Sequence, residues 1–287
     1  MVRLYAHRGA AAELPENTQP SFSRALEAGA DALEMDVHLT RDWKVVVSHD
    51  PSGERMAGIP SLIQHCDLEE IKTWDAGLGF MTKDGERPFA GKDFEIPTLA
   101  EVLEAFPDVV INIDLKQHHP SMVDTTLEVI RRYQAEERVQ IASFHLPTLL
   151  QVRRRGYPGV TVMAPAEVAF ALFSPAFIVR RAPFLGCTAQ LPTRAEFLRQ
   201  SVDDMGITLG SNIPLHLLPG SDQLTEIPRR LFPSNAWMVK RLRRLGVSVD
   251  FWTVNDVHEA VALAELGVDG IMTDDPELIG QALQKNR

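Results

Sequence analysis

Cysteine is scarce in this chain of 287 residues, which contains only Cys66 and Cys187. The two are far apart and lack the spacing of metal-binding pairs, so we expect reduced, inert thiols of a cytoplasmic protein. Long apolar runs are also missing. The most apolar window, residues 168–179, is too short to span a bilayer and is broken by Pro175. We interpret it as a helix on the outside of the fold and expect no stable membrane insertion.

Basic residues are the minority among the charged ones. The chain has 29 lysines and arginines against 39 aspartates and glutamates, which gives a formal net charge of −10. Such an acidic balance argues against nucleic acid or an anionic membrane as the main partner. The N-terminal residues MVRLYAHRG enter a strand at once, so we also expect no signal peptide.

Strand patterns alternate with helix patterns along the whole chain. The predicted strands cover residues 3–6, 32–37, 109–115, 139–144, 160–164, 187–191, 247–254 and 268–273. Repeated strand–helix units of this number predict an α/β fold, a (β/α)₈ TIM barrel. Residues 51–96 are irregular and rich in glycine and charge, and we interpret them as a small insertion on the C-terminal rim. The length suits one barrel, so we expect a single domain over residues 1–287.

Helix starts are marked by capping residues. Thr18 precedes a helix over residues 20–28, and Thr98 with Glu101 forms a capping-box pattern. Asp67 with Glu70 predicts one short helix inside the insertion. Further helices are predicted after residue 193, from the cap Ser234 to residue 245, after the cap Asp256 and from residue 276 onward.

Residues 32–51 are the most informative stretch. Glu34 and Asp36 alternate with apolar residues on a strand, so their side chains share one face. The link to the next apolar run, 44–48, is too short for a parallel crossover. An antiparallel return would bring His49 and Asp50 back beside the two acids. Two interpretations remain open: a solvated strand edge, or buried carboxylates that need partners or a metal.

In such barrels the functional site lies at the C-terminal ends of the strands. Three acids at those ends, Glu34, Asp36 and Asp114, offer hard oxygen ligands that suit Mg²⁺ or Ca²⁺. The cations Arg8 and Lys116 fall at the ends of the same group of strands as these acids, and they suit a phosphate group.

Two histidines, His7 and His49, also fall at this rim and titrate near neutral pH, as an acid–base pair requires. Trp252, at the end of a strand, fits either the core or the wall of a ligand pocket. Single histidines are more often surface or core residues than catalysts, and Arg8 could simply pair with a carboxylate. Among the other seven histidines, His145 is the first to reconsider, because it follows a strand.

The chain resembles the glycerophosphodiester phosphodiesterases, a family of phospholipase C-like phosphodiesterase barrels. The matching motifs run nearly the full length: AHRG at 6–9, ENT at 16–18, LEMDVHLTRD at 33–42, VVSHDP at 46–51, INIDLK at 111–116, SF at 143–144, WTVND at 252–256 and GVDGIMTDDP at 267–276. The resemblance implies metal-dependent hydrolysis of a small-molecule glycerophosphodiester to glycerol 3-phosphate and an alcohol.

The resemblance also implies roles for individual residues. His7 and His49 would be the acid and the base, although the resemblance does not indicate which is which. One divalent cation would be held by Glu34, Asp36 and the acid at position 114. The phosphate would contact Arg8 and Lys116, and Trp252 would line the glycerol or leaving-group side.

Two departures from the family pattern stand out. Position 114 is usually glutamate and is Asp114 here, and His145 stands where aspartate is common. Two alternative functions stay open: a lysophospholipase D-type activity on lysophospholipids, and a barrel that binds phosphodiesters without turning them over.

Overall fold

The computed structural model describes residues 2–179, 187–193 and 235–285 of the chain. The strands within these ranges are β1 (Arg3–His7), β2 (Ala32–Leu39), β3 (Val45–Val47), β4 (Ser52–Gly53), β5 (Ile59–Leu62), β6 (Val110–Leu115), β7 (Val139–Ala142), β8 (Val160–Thr161), β9 (Thr188–Pro192), β10 (Ser248–Trp252) and β11 (Gly270–Thr273). The α-helices are α1 (Gln19–Glu27), α2 (Glu54–Ala57), α3 (Leu68–Ile71), α4 (Leu99–Ala105), α5 (Val123–Arg132), α6 (Leu146–Arg154), α7 (Pro165–Phe173), α8 (Ala176–Val179), α9 (Asn235–Arg243), α10 (Val257–Glu265) and α11 (Pro276–Lys285).

Eight parallel strands form a nearly closed barrel. Their hydrogen-bonded order is β8-β7-β6-β2-β1-β11-β10-β9. At the seam between the two ends of this order, Val162 and Thr188 form a single parallel bridge, and the Met163 N–H donates to the Thr188 carbonyl at 2.9 Å. The prediction of a (β/α)₈ barrel is therefore confirmed.

The core of the barrel wall falls into two large apolar clusters. One packs the strands β1, β2, β6 and β7 against helices α1 and α4 to α6, and the other packs β9 to β11 against α7 and α9 to α11. The apolar window at 168–179 contributes to the second cluster through Val168, Ala171, Leu172 and Val179. No helix in the described ranges combines the length and apolarity needed to cross a bilayer.

The antiparallel return after β2 is confirmed. β3 pairs with β2 so that Val47 lies opposite Val37 and Val45 lies opposite Leu39. The Ser48 N–H then donates to the Asp36 carbonyl at 2.9 Å. Because of this contact, the residue after Ser48, His49, leaves the hairpin at the end of the barrel where Asp36 lies.

The insertion is more structured than the sequence predicts. β4 and β5 form a small antiparallel sheet, and two 3₁₀ turns, Ile63–His65 and Ala76–Gly79, accompany α2 and α3. Its apolar side chains pack around Trp74 and reach Val46 of the hairpin. The insertion therefore shares a core with the strand that carries the chain toward His49.

Helix capping follows the sequence at three of the positions predicted. Thr18 accepts from the Ser21 N–H, Thr98 and Glu101 form a reciprocal capping box, and Asp256 accepts from the Glu259 N–H. The short helix predicted from Asp67 and Glu70 is confirmed as α3, but no capping box is formed by Asp67. Its carboxylate makes no cap hydrogen bond and instead pairs with the Arg41 guanidinium at 2.6 Å.

Two further expectations differ from the structure or fall outside it. β8 is only two residues long, against a predicted strand over 160–164, because Ala164 already caps α7 and Pro165 begins that helix. The helix predicted after residue 193, and the cap predicted at residue 234, lie outside the described residues.

A polar layer crosses the barrel interior below the site. The Tyr5 hydroxyl donates to Gln140 at 3.3 Å, and the Gln190 amide donates to Asn112 at 3.0 Å. The carboxylate of Asp250 is buried in the same interior, and its Oδ2 has no hydrogen-bond partner among the described residues. Burial, with a smaller effect from the charge of Asp269, raises the pKa of Asp250 to about 7.

We expect Asp250→Asn to change how stability depends on pH. The folded-state pKa is raised above the unfolded value of about 3.9, so the contribution of Asp250 to stability is full below about pH 4 and declines as pH rises to 7. The stability of the variant relative to the wild type should therefore increase between pH 5 and 8, by up to a few kcal/mol. Urea denaturation in the presence of a chelator measures this, with the exposed Asp84→Asn as control. A pH-independent difference would contradict the raised pKa.

Candidate active site

Three neighbouring strands bring the predicted acids and one histidine together. β1, β2 and β6 are adjacent and parallel, and their register pairs His7 with Glu34 and Asp36 with Asp114. Residues paired across strands, and residues two apart on one strand, share a face of the sheet. All three acids are almost fully buried: Glu34 is 5 %, Asp36 is 2 % and Asp114 is 5 % exposed. The solvated strand edge is thereby excluded.

Two cations compensate the buried acids. The Lys116 ammonium lies 3.0 Å from Asp36 Oδ1 and 2.8 Å from Asp114 Oδ2, so it bridges the two carboxylates. The Arg8 guanidinium lies 3.2 Å from Asp36 Oδ2, and the Arg8 backbone N–H donates to Glu34 at 3.1 Å. Both cations predicted to contact phosphate thus lie against the acids predicted to bind metal.

The two neighbouring acids of β2 have opposite pKa shifts. Burial and the adjacent negative charge of Asp36 raise the pKa of Glu34 above its usual range. Burial also opposes ionisation of Asp36, but the charges of Lys116 and Arg8 outweigh it and hold the pKa of Asp36 below its usual range. The same burial therefore acts on both acids, but the two cations offset it at Asp36 and not at Glu34.

Asn17 was missed as a site residue by the sequence analysis. Its side-chain amide donates to Asp36 Oδ2 at 3.2 Å, and its backbone N–H donates to the Arg8 carbonyl at 2.9 Å. Asn17 and Arg8 both adopt a left-handed backbone conformation, with φ of 57°. The ENT motif that contains Asn17 was visible in the sequence, but its contact with Asp36 was not.

Each predicted catalytic histidine is held by a carboxylate. His7 Nδ1 lies 2.7 Å from Asp274 Oδ1, and Asp274 Oδ2 accepts from the Asn255 amide at 2.6 Å. His49 Nδ1 lies 2.7 Å from Asp50 Oδ1. In both rings Nδ1 is therefore engaged, and the other nitrogen of His7, Nε2, lies 3.9 Å from Glu34 Oε2.

The His49 side of the site is tied to the insertion by ion pairs. Asp50 pairs with Arg55 at 2.5 Å, Arg55 pairs with Glu16 at 2.7 Å, and Glu16 pairs with Arg8 at 3.1 Å. Sequence reasoning did not identify Glu16 or Arg55, because each contact joins residues from different loops.

Comparison with known proteins agrees with this geometry. The sequence matches the model of the glycerophosphoryl diester phosphodiesterase family over residues 7–179 and 216–278. It is also 31 % identical to a glycerophosphodiester phosphodiesterase of Caldanaerobacter subterraneus, across 98 % of this chain and 97 % of that protein. The chain belongs to this family. The interpretation as a phosphodiesterase is thereby confirmed at the level of the family.

Two further proteins that resemble this chain carry other names. A human lysophospholipase D is 28 % identical, across 94 % of this chain and 82 % of that protein. An Oleispira antarctica phosphodiesterase, whose structure was solved with the product sn-glycerol-3-phosphate, superimposes with a TM-score of 0.69 at 21 % identity. That superposition covers 98 % of this chain and 96 % of the other, and it supports the shared fold.

An aromatic pair borders the Lys116 side of this phosphodiesterase site. Phe144, which is 49 % exposed, packs edge-on against Trp252 with ring centroids 5.8 Å apart. The Lys116 ammonium lies 5.3 Å from the centre of the Phe144 ring. Trp252 is thus half-buried at the rim, and Phe144 is a further rim residue that the sequence analysis quoted without a role.

The family generally uses a divalent metal, and the donors of this chain fit one by their chemistry. Three buried carboxylates converge, and Asp114 Oδ1 is buried without a hydrogen-bond partner among the described residues. As their side chains stand, no three histidine, cysteine or carboxylate groups in the described ranges chelate an ion together. Lys116 is the group that balances the charge of Asp36 and Asp114 in this arrangement.

We expect Asp274→Asn to lower the pKa of His7. Burial and the Arg8 charge lower this pKa, but the hydrogen bond and charge of Asp274, with the charge of Glu34, raise it above its usual value overall. Removing the Asp274 charge leaves the lowering effects less opposed. Titration of the His7 ring by NMR in the metal-free protein measures the shift, with the exposed Asp84→Asn as control. An unchanged His7 pKa would show that the pairing with Asp274 does not persist in solution.

Proposed function

We propose that this chain hydrolyses glycerophosphodiesters to glycerol 3-phosphate and an alcohol, with His7 and His49 as the acid–base pair. The observation that carries the proposal is the arrangement of two carboxylate-anchored histidines around one cluster of buried acids and cations. The product bound to the Oleispira antarctica relative is the product expected here. A barrel that only binds diesters would need no such pair of histidines.

Each residue of the proposed site has its own role in the reaction. Arg8 and Lys116 supply positive charge that offsets the repulsion between an anionic diester and an acidic protein. One histidine takes a proton from the nucleophile, either water or the glycerol 2-hydroxyl, and the other gives a proton to the leaving alkoxide. Asp274 and Asp50 hold the two rings through Nδ1, so that Nε2 exchanges the proton. Trp252 lines the glycerol or leaving-group side.

A single divalent cation, Mg²⁺ or Ca²⁺, completes the proposed site, held by Glu34, Asp36 and Asp114. Such a cation, when bound, polarises phosphoryl oxygens. It also brings positive charge to a cluster in which burial and mutual repulsion now raise the pKa of Glu34.

A lysophospholipase D-type activity is the second candidate. It is supported by the human relative of that name, and by an apolar surface on α7 and α8 where Phe173 and Phe177 are 69 % and 68 % exposed. Turnover of glycerophosphocholine compared with lysophosphatidylcholine, with and without a chelator, separates the two activities. Turnover of neither compound would favour the binding-only alternative.

We expect metal removal to abolish diesterase activity and Mg²⁺ or Ca²⁺ to restore it. The same cation should raise the thermal midpoint of unfolding, because it binds the folded state only. Glu34→Gln should lose much of this stabilisation, since it removes one of the three proposed charged ligands. The enzyme assay and a thermal melt measure the two effects. Full activity of the metal-free protein would contradict the roles given to Glu34, Asp36 and Asp114.

Replacing the histidines should lower turnover, whereas replacing the acids should weaken cation binding. Acid–base groups contribute roughly 10²–10⁴-fold to rate, so His7→Ala and His49→Ala should each lose turnover in that range with little change in cation affinity. Asp36→Ala should instead weaken cation binding, and added metal should recover part of its activity.

A diester with an acidic phenol leaving group assigns the two histidine roles. Such a leaving group needs little protonation, so replacing the general acid should matter less than with an alkyl diester, while the base is still required. Parallel loss of metal binding and activity in both histidine variants would instead identify them as ligands and contradict the acid–base proposal.

A further inference from the structure

Three imidazole rings form a cluster beside the site that the proposed mechanism does not use. His118 and His119 follow β6, and His145 follows β7. The ring centroids of His118 and His145 are 4.3 Å apart, and those of His118 and His119 are 4.8 Å apart. His118 and His119 are exposed and His145 is half-buried, so the cluster is open to a ligand at the rim.

The cluster adjoins the groups proposed to contact the substrate. Lys116 lies two residues before His118 in sequence, and Phe144, which Lys116 approaches, immediately precedes His145. Burial and the neighbouring His118 ring lower the pKa of His145. The charge of Asp114 raises this pKa and the charge of Lys116 lowers it, but the overall shift is downward. The imidazoles therefore lie next to the phosphate-binding cation, on the side of the barrel formed by β6 and β7.

The electrostatic character of the rim differs between its two sides. In the described part of the chain, none of the three clustered imidazoles pairs with a carboxylate. On the β10 and β11 side, by contrast, Asp256 caps α10 and Asp274 and Asp275 follow β11. A diester lying across the central acids would thus have donor groups at one end and carboxylates at the other.

We propose that His118, His119 and His145 form a leaving-group subsite that favours diesters whose alcohol carries an anionic group. The inference rests on the proposed function and specifies its substrate class. Imidazole N–H groups donate to phosphate or carboxylate oxygens, and an anion between close rings also offsets their mutual repulsion when they are protonated. A quaternary ammonium headgroup accepts no hydrogen bond and gains nothing from these donors. The rings do not form a metal-chelating group as they stand in the described structure.

A matched pair of substrates tests the subsite. Glycerophosphoglycerol releases glycerol, and glycerophosphoglycerophosphate releases the same alcohol with a phosphate attached. We expect the wild type to favour the second compound in kcat/KM. The double variant His118→Ala/His145→Ala should reduce that preference about tenfold, in the range of a lost charge-assisted hydrogen bond, while kcat/KM for glycerophosphoglycerol stays within about twofold. His119→Ala should also reduce the preference, because the His119 ring lies 4.8 Å from that of His118 in the same cluster.

The control is His258→Ala, which removes an exposed histidine from the first turn of α10 on the opposite side of the rim and should leave the preference unchanged. An unchanged preference in the double variant would overturn the inference. An equal loss of kcat/KM on both substrates would also overturn it. Failure of the wild type to hydrolyse these two compounds and glycerophosphocholine would contradict the proposed function, and calorimetric titration of the same two compounds would then test the subsite through their affinity ratio.

Discussion

The burial of three carboxylates at one end of a barrel is the constraint on which the rest of the site depends. Charged groups removed from water must be paired or lose their charge. Asp36 meets this requirement with Lys116, Arg8 and the Asn17 amide, whereas the pKa of Glu34 rises. Two of the residues that meet this requirement, Arg8 and Asn17, both adopt a left-handed backbone conformation next to Asp36.

The two histidines are fixed by separate means on either side of these acids. His7 belongs to the barrel wall, and its partner Asp274 follows the adjacent strand β11, so both positions are set by the sheet. His49 lies on the hairpin return, and its partner Asp50 is tied through Arg55 and Glu16 to Arg8. The small insertion thus positions one histidine through a chain of ion pairs, while the barrel positions the other directly.

Local sequence predicts what depends on short-range geometry. The period of two on β2 predicts that Glu34 and Asp36 share a face, and the short link predicts the return to His49, because both follow from neighbouring residues. The Asp67 cap fails because Arg41, distant in sequence, takes that carboxylate. Asn17, Asp274 and Arg55 could not be assigned in advance, since the partners shown by the structure lie far from them in the sequence. The roles of the eight predicted site residues stay predictions, although the structure places all eight at one rim.

The seam between β8 and β9 has a mechanical consequence. In the described residues it is closed by one parallel bridge, between Val162 and Thr188, beside a strand of two residues. The strands β2 and β6, which carry the three acids, and β1, which carries His7, lie in the interior of the sheet order, away from both free ends. Among the described residues, the barrel wall is therefore held by the fewest hydrogen bonds at the seam between β8 and β9, away from β1, β2 and β6. Opening at this seam breaks no backbone hydrogen bond between β1, β2 and β6, so it does not disturb the register that pairs His7 with Glu34 and Asp36 with Asp114.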